Sequence, residues 1–361
     1  MRNYTHRPPL HFVSVFNPPD NTKMLENLHL ARSAAADVGR LYICHCHPDE
    51  EQKMMELARI MSLCPSLNWV RLQTTSARLL RMLCDTITGS VDWPLLETLE
   101  WHTAGSTVAE DRKLSGDDLS RLLMRAQNIR TLVIDNTELS SDAILPLSLR
   151  TLECCRGGIS LLTQLLNSRE LVQRRITKLT LYGKETSEET LDCLRAALDS
   201  SSSFEGTLLQ NVRTLSLGKF ASAFPLRSPC ALQIVSRCIK LRELVLYLED
   251  PPSTRYDEPG LLLAATSPTV RTLVFNVLSA PWSDATREYE EIVSLLDQEV
   301  KNGFLRRVRE LMIFGVVTGD ADEGQHGTTL LLRRLCAARR IQVKLFPIHL
   351  WRVSPTCSFR V

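Results

Sequence analysis

The sequence predicts an α/β solenoid, curved as a horseshoe, with parallel strands on its concave face and helices on its convex face. Two observations predict it. A short frame recurs ten times: an aliphatic residue, two variable ones, an aliphatic that is usually Leu, one variable, then another apolar residue. Between copies the hydrophobic period lengthens from two to about 3.6, the change expected where a strand gives way to a helix. A third observation bears on function. The chain has no GxxxxGK[ST] phosphate loop, no GxGxxG after a strand, no HExxH and no GxSxG, so it specifies a long surface and no evident reaction centre.

The frames start at Val38 (VGRLYI), Leu67 (LNWVRL), Leu96 (LETLEW), Ile129 (IRTLVI), Leu149 (LRTLEC), Ile176 (ITKLTL), Val212 (VRTLSL), Leu241 (LRELVL), Val270 (VRTLVF) and Val308 (VRELMI). Steps of 27 to 29 residues leave room for a strand and a full return helix, the unit of an intracellular leucine-rich repeat. The fold class is therefore a leucine-rich-repeat solenoid. Stacked repeats share one continuous core, so 361 residues do not require separate globular domains. The expected organisation is an N-terminal capping segment over 1–37, an array of about ten to eleven repeats over 38–346, and a C-terminal tail or cap over 347–361.

Taken in order, the segments between frames read as follows. Residues 50–63 (EEQKMMELARIMSL) place Met54, Leu57, Ile60, Met61 and Leu63 on one stripe, an amphipathic helix. Ser115 with Asp118 precedes LSRLLM, a helix start. The 20-residue step from Ile129 to Leu149 has space only for a turn of helix around Leu139 to Leu145. Thr186 with Glu189 forms a capping pattern ahead of LDCLRAAL. The longer steps carry insertions: SSSSFEG from Ser200, and NVLSAPWSD before a helix from about Ala285 to Lys301. Residues 249–260 and 315–327 are rich in breakers and read as loops. The last strand is IQVKLF from Ile341.

Composition narrows the partners. A net charge of +2 from 43 basic and 41 acidic residues supplies no field that would make nucleic acid an obligatory ligand. No apolar stretch is long enough for a membrane span. The cysteines are odd in number, 11, and Cys84, Cys193, Cys230 and Cys238 sit in helical patterns rather than in cysteine-rich caps, which points to a reducing cytoplasmic or nuclear setting. A monomer without cofactor is expected.

Because strand side chains alternate, the first, fourth and sixth frame positions point to the core, and the third, fifth and seventh to the concave face. That face is expected to hold the protein ligand. Its candidates are Arg40, Tyr42, Trp69, Arg71, Glu100 and His102 at one end, with Tyr182, Tyr247, Asn276, Met312 and Phe314 further along; aromatics and Arg are the types that carry binding energy. The second position is Arg in six repeats, Arg130, Arg150, Arg213, Arg242, Arg271 and Arg309. Stacking brings them into a row able to grip carboxylates or phosphates, although Glu243 and Glu310 stand close enough in sequence to neutralise it. Cys44-His45-Cys46-His47 offers zinc-type ligands at short spacing, but no second ligand pair lies within a usual distance, and strand and loop packing is the expected reading. Residues 319–324 (GDADEG) lack the acid spacing of a calcium loop.

The joints CPSLNWVRL (64–72) and CIKLRELVL (238–246) resemble the Cys-x-x-Leu-x-x-Leu-x-Leu joints of leucine-rich repeats in F-box proteins, and the stretch from Phe12 to Ile43 resembles the segment that follows the F-box in the large fungal set of those proteins. The resemblance implies a substrate-binding half of a cullin-RING ubiquitin ligase subunit, with ligase components as further partners. Residues 1–37 carry neither the Leu-Pro start nor the three-helix pattern of the F-box itself. The expected function is non-enzymatic protein recognition. The alternatives are a ribonuclease-inhibitor-like regulator that masks a partner, and an enzyme with an unrecognised site.

Overall fold

The computed structural model describes residues 13–16, 38–44, 64–74, 93–103, 113–114, 121, 123–124, 126–135, 138–139, 145–154, 158–167, 176–183, 188–200, 208–220, 229–248, 269–277, 292–294, 296–297, 305–316 and 323–347. The chain divides into two compact units, 1–176 and 177–361. Each is α/β, with parallel strands laid down in chain order.

In the first unit the strands are β1 (Val13–Phe16), β2 (Arg40–Cys44), β3 (Trp69–Thr74), β4 (Thr98–Thr103), β5 (Lys113–Leu114), β6 (Thr131–Asp135), β7 (Glu138–Leu139) and β8 (Thr151–Cys154), followed by helix α1 (Gly158–Asn167). The main sheet runs β1-β2-β3-β4-β6-β8, every neighbour parallel, while β5 and β7 pair with each other. Two features were not expected. β1 pairs with β2 (Val13 beside Leu41), so the ladder extends into the stretch assigned to a cap. Leu139, expected in a turn of helix, lies in β7; a 20-residue step is too short for a return helix, and β5 supplies backbone partners instead.

The second unit holds β9 (Lys178–Gly183), α2 (Glu188–Ser200), a 3-10 turn (Leu208–Asn211), β10 (Thr214–Phe220), α3 (Pro229–Arg237), β11 (Glu243–Leu248), β12 (Thr272–Val277), β13 (Glu310–Val316), α4 (Glu323–Ala338) and β14 (Gln342–Pro347). Its strands are parallel in the order β9 to β14. Residues 292–294 and 296–297 are helical within the expected 285–301 helix. Helix α4 starts at Glu323, inside the stretch read as a loop over 315–327. The 50–63 helix, the 249–260 loop and residues 45–47 of the Cys-His string lie outside the described residues.

Burial follows the frame in both units. First-position Leu67, Leu96, Ile129, Val212 and Leu241 are fully buried, as are fourth-position Val70, Leu132, Leu179, Leu215 and Leu244. A further core position stands three residues before the frame, at Cys64, Trp93, Ala126, Leu209, Cys238 and Leu305, all buried. Its carbonyl accepts the first-position N–H, for example Cys64 from Leu67 at 3.3 Å and Cys238 from Leu241 at 2.9 Å. Side chains from Ala to Trp occupy this one place, so it adjusts volume from repeat to repeat to keep the core filled. Burial pushes the Cys64 thiol up to about 11 and the Cys238 thiol up to about 12. Cys193 on α2 is exposed.

The second frame residue ties neighbouring strands by its backbone. Its carbonyl accepts two N–H donors from the next repeat: Gly39 from Asn68 (2.8 Å) and Trp69 (3.2 Å), and Arg213 from Arg242 (2.8 Å) and Glu243 (3.0 Å). The helices bury apolar stripes, Leu191, Leu194 and Leu198 on α2 and Cys230, Ile234 and Val235 on α3. Leu335 and Cys336 of α4 line an apolar pocket with fourth-position Leu273 and Leu311, which sets this helix against the core side of its sheet. Helix α4 ends in a paired-turn cap: Ile341 N–H bonds the Cys336 carbonyl at 2.8 Å, Arg340 N–H bonds that of Ala337 at 3.1 Å, and Arg340 takes φ 59°. No described helix is long and apolar enough to cross a membrane.

Candidate functional site

Opposite the core, each sheet presents the third, fifth and seventh frame positions, here called the variable face. In the first unit it gathers four of the sequence candidates into one cluster. Tyr42, Arg71 and Glu100 are register partners on β2, β3 and β4, while Trp69 lies beside Thr98. Trp69 Nε1 donates to Glu100 Oε1 at 3.0 Å, reaching diagonally across the strand pair. The Arg71 guanidinium stands 3.8 Å from the other carboxylate oxygen of Glu100 and 5.2 Å from the centroid of the Tyr42 ring. These are an ion pair and a cation–π contact. The side chains of Arg71 and Glu100 are only 9% and 6% exposed.

This changes the roles read from sequence. Arg71 and Glu100 face the expected way, but their charges are turned on each other below the surface. What the cluster offers outward is the half-exposed Trp69 and Tyr42 with exposed Arg40 beside them. His102 continues the row on β4, opposite Asp135 of β6.

The variable face of the second unit is built as three rows. The first is Lys178, Thr214, Glu243, Thr272, Glu310 and Gln342, in register on six strands. Lys344 pairs with Glu310. Burial pushes the Glu243 carboxyl above the usual carboxylate range; Lys178 acts in the opposite direction and Glu310 adds to the rise. The middle row opens with Thr180, Ser216, Val245 and Val274, all buried although they point away from the core. This run of small side chains ends at the longer Met312 and Lys344.

The third row is apolar and aromatic. Tyr247, Asn276, Phe314 and Phe346 are register partners on β11 to β14. Phe314 and Phe346 stack with centroids 4.2 Å apart and planes 5° from parallel, and both rings and Tyr247 are half-exposed. Asn276 is 8% exposed, and its Oδ1 is buried without a hydrogen-bond partner among the described residues. A bulge ends the row. Gly315 takes φ 85°, and the register shifts so that Val316, not Gly315, opposes Pro347. Sequence reasoning placed Tyr247 and Phe314 on this face but not Phe346. The signal for Phe346 was the seventh position of β14, which is legible only once the frame of that strand is set to begin at Arg340. Tyr182 lies on β9.

Of the described residues, no group of three or more His, Cys, Asp or Glu side chains is arranged to hold a metal ion. No protein-family model matches the chain, and no curated protein does so. Among solved structures, the chain has a match to the arginine decarboxylase of Paramecium bursaria Chlorella virus bound to agmatine, with 8% identity, 90% of this chain and 61% of that chain covered, and a TM-score of 0.19. The chain thus spans under two thirds of that protein, and a superposition at this score carries no argument about fold or activity.

Proposed function

We propose that this chain is a leucine-rich-repeat recognition scaffold without catalytic activity, and that its variable face binds a protein ligand in the manner of the substrate-holding repeats of an F-box protein. The observation that carries the reading is the row Tyr247, Asn276, Phe314 and Phe346. Three half-exposed rings on strands about 4.8 Å apart flank an amide oxygen that has no donor among the described residues. Apolar rings beside an unsatisfied acceptor fit a peptide that brings both side-chain area and a hydrogen-bond donor. On the variable face of the first unit Arg71 is paired with Glu100, and on that of the second Lys344 is paired with Glu310, an arrangement that suits rigid presentation better than proton transfer. A monomer in the cytoplasm or nucleus accords with this reading.

The test is affinity purification with the intact chain, then with Phe314→Ala, Tyr247→Ala and, as a control on α4, Arg334→Ala. Loss of an aromatic anchor is expected to weaken capture of the main partner about 30-fold, equivalent to about 2 kcal/mol, with the control unchanged. Cullin and adaptor peptides among the partners support the ligase subunit. One stoichiometric partner without them supports a masking regulator. Undiminished capture by both aromatic variants removes the variable face of this unit as the binding surface.

A further inference from the structure

The second frame position of the second unit is Arg on four successive repeats, Arg213, Arg242, Arg271 and Arg309, and all four are exposed. Their carbonyls and N–H groups form the strand-to-strand ladder, so the side chains leave the sheet from one edge, at the spacing of parallel strands. The sequence suggested that Glu243 and Glu310 would neutralise them. The structure turns those carboxylates elsewhere: both stand on the variable face, Glu243 near Lys178 and Glu310 paired with Lys344. Among the described residues Arg213, Arg242 and Arg309 make no ion pair or hydrogen bond with their side chains, and Arg271 reaches the Arg307 carbonyl, at 3.5 Å. Every charged residue in the turns entering β10 to β14 (208–213, 238–242, 269–271, 305–309 and 339–341) is Arg or Lys.

We infer that this edge is a second docking surface, distinct from the variable face, and that it takes an extended acidic segment of a protein. Four arginines across three strand gaps span about 14 Å. An extended peptide rises about 3.3 Å per residue, so three carboxylates at alternate positions cover nearly the same length. Guanidinium groups pair bidentately with carboxylates. Ile239, 54% exposed in the turn before Leu241, adds an apolar contact that a phosphate backbone has no use for. The described residues of these turns include no aromatic ring on which a base could stack. Both points favour a peptide over nucleic acid.

The probe is a fluorescein-labelled peptide, Glu-Gly-Glu-Leu-Glu, titrated into the full chain at about 0.1 M salt. Binding is expected, with a loss of roughly four- to twenty-fivefold in Arg242→Gln/Arg309→Gln, two exposed pairs at about two- to fivefold each. The charge-matched Arg333→Gln/Arg334→Gln on α4 is expected to change it less than twofold. The peptide with Gln in place of Glu should not bind, a comparison that needs no variant. Equal losses in the two variants, equal binding of the Gln peptide, or tighter binding of a mixed-sequence single-stranded oligonucleotide would each overturn the assignment.

Discussion

In the unit of residues 177–361 the second frame position is Arg on four successive strands, and among those side chains no described ion pair is formed; in the unit of residues 1–176 the same position holds Gly39, Asn68, Glu97, Arg130 and Arg150. There Glu97 and Arg130 pair at 3.5 Å, and Arg150 turns back onto the Leu147 and Leu149 carbonyls. The variable faces differ in the same sense. The first unit buries an acid and a base against each other beneath Trp69 and Tyr42, whereas the second leaves an aromatic row half open and an amide oxygen without a donor. One backbone plan thus supports a unit whose buried charges are turned on each other and a unit whose aromatic row and arginine side chains point outward. The frame fixes the core positions and leaves the others to be assigned repeat by repeat.

The largest expected effect tests what the units share. Leu132→Ala in the first and Leu244→Ala in the second, both fully buried fourth-position residues, should each cost about 2–5 kcal/mol in urea unfolding. Hydrogen exchange should place each loss in the unit that carries the change. A cost below about 1 kcal/mol in one unit only would mean that the two cores are not built alike.

The next effect separates them. Glu100→Ala removes a carboxylate that pairs with the Arg71 cation below the surface and accepts from Trp69, which should cost about 3 kcal/mol. Glu97→Ala breaks an exposed pair in the same unit and should cost less than about 1 kcal/mol. Equal costs at the two sites would show that the buried cluster is no more than a surface contact. In the second unit, Gly315→Ala forces an L side chain into the left-handed region, at about 1–2 kcal/mol. Because the bulge closes the aromatic row, this change should also lower partner capture beyond the stability loss.

The smallest effect is a pH slope confined to the second unit. Glu243 holds its proton more tightly in the fold than in the unfolded chain. Stability therefore falls as pH rises from the ordinary carboxylate range through the folded value, and the penalty is absent below that range. Glu243→Gln should raise the Tm at neutral pH and leave it unchanged at low pH. The check is a series of melts between about pH 4 and about pH 8. A steeper slope in the variant would reverse the assigned cause.

Much of the strand plan was legible because its signal is a period. Leu132, Leu179, Leu215 and Leu273 recur at the fourth position, and each is buried. β1 escaped although Leu10 to Val15 fits the frame one repeat step before Val38, because the whole segment ahead of Val38 was assigned to a cap. β5 and β7 are two residues each, shorter than any periodic signal. The start of α4 was hidden by Gly324 and Gly327, since a stretch rich in glycine reads as a loop by composition. For the binding face, alternation told which way Arg71 and Glu100 point but not how deep they lie. Depth depends on neighbours such as Trp69 and Val133 on adjacent strands, and sequence spacing of 29 or 33 residues does not reveal who those neighbours are.

The double-acceptor ladder at the second frame position has a consequence for how this protein varies. All of its hydrogen bonds use main-chain atoms, so the fold is indifferent to the side chain carried there, and Gly39, Asn68, Glu97, Thr177 and Arg242 already sample that freedom. These sites are open to drift and to selection on surface charge without a folding penalty. Proline is the exception, because Arg242 N–H must donate to the Arg213 carbonyl. In a saturation library scored for soluble expression, position 242 should accept nearly every residue and reject proline, while position 244, two residues on, should reject nearly everything but large aliphatics.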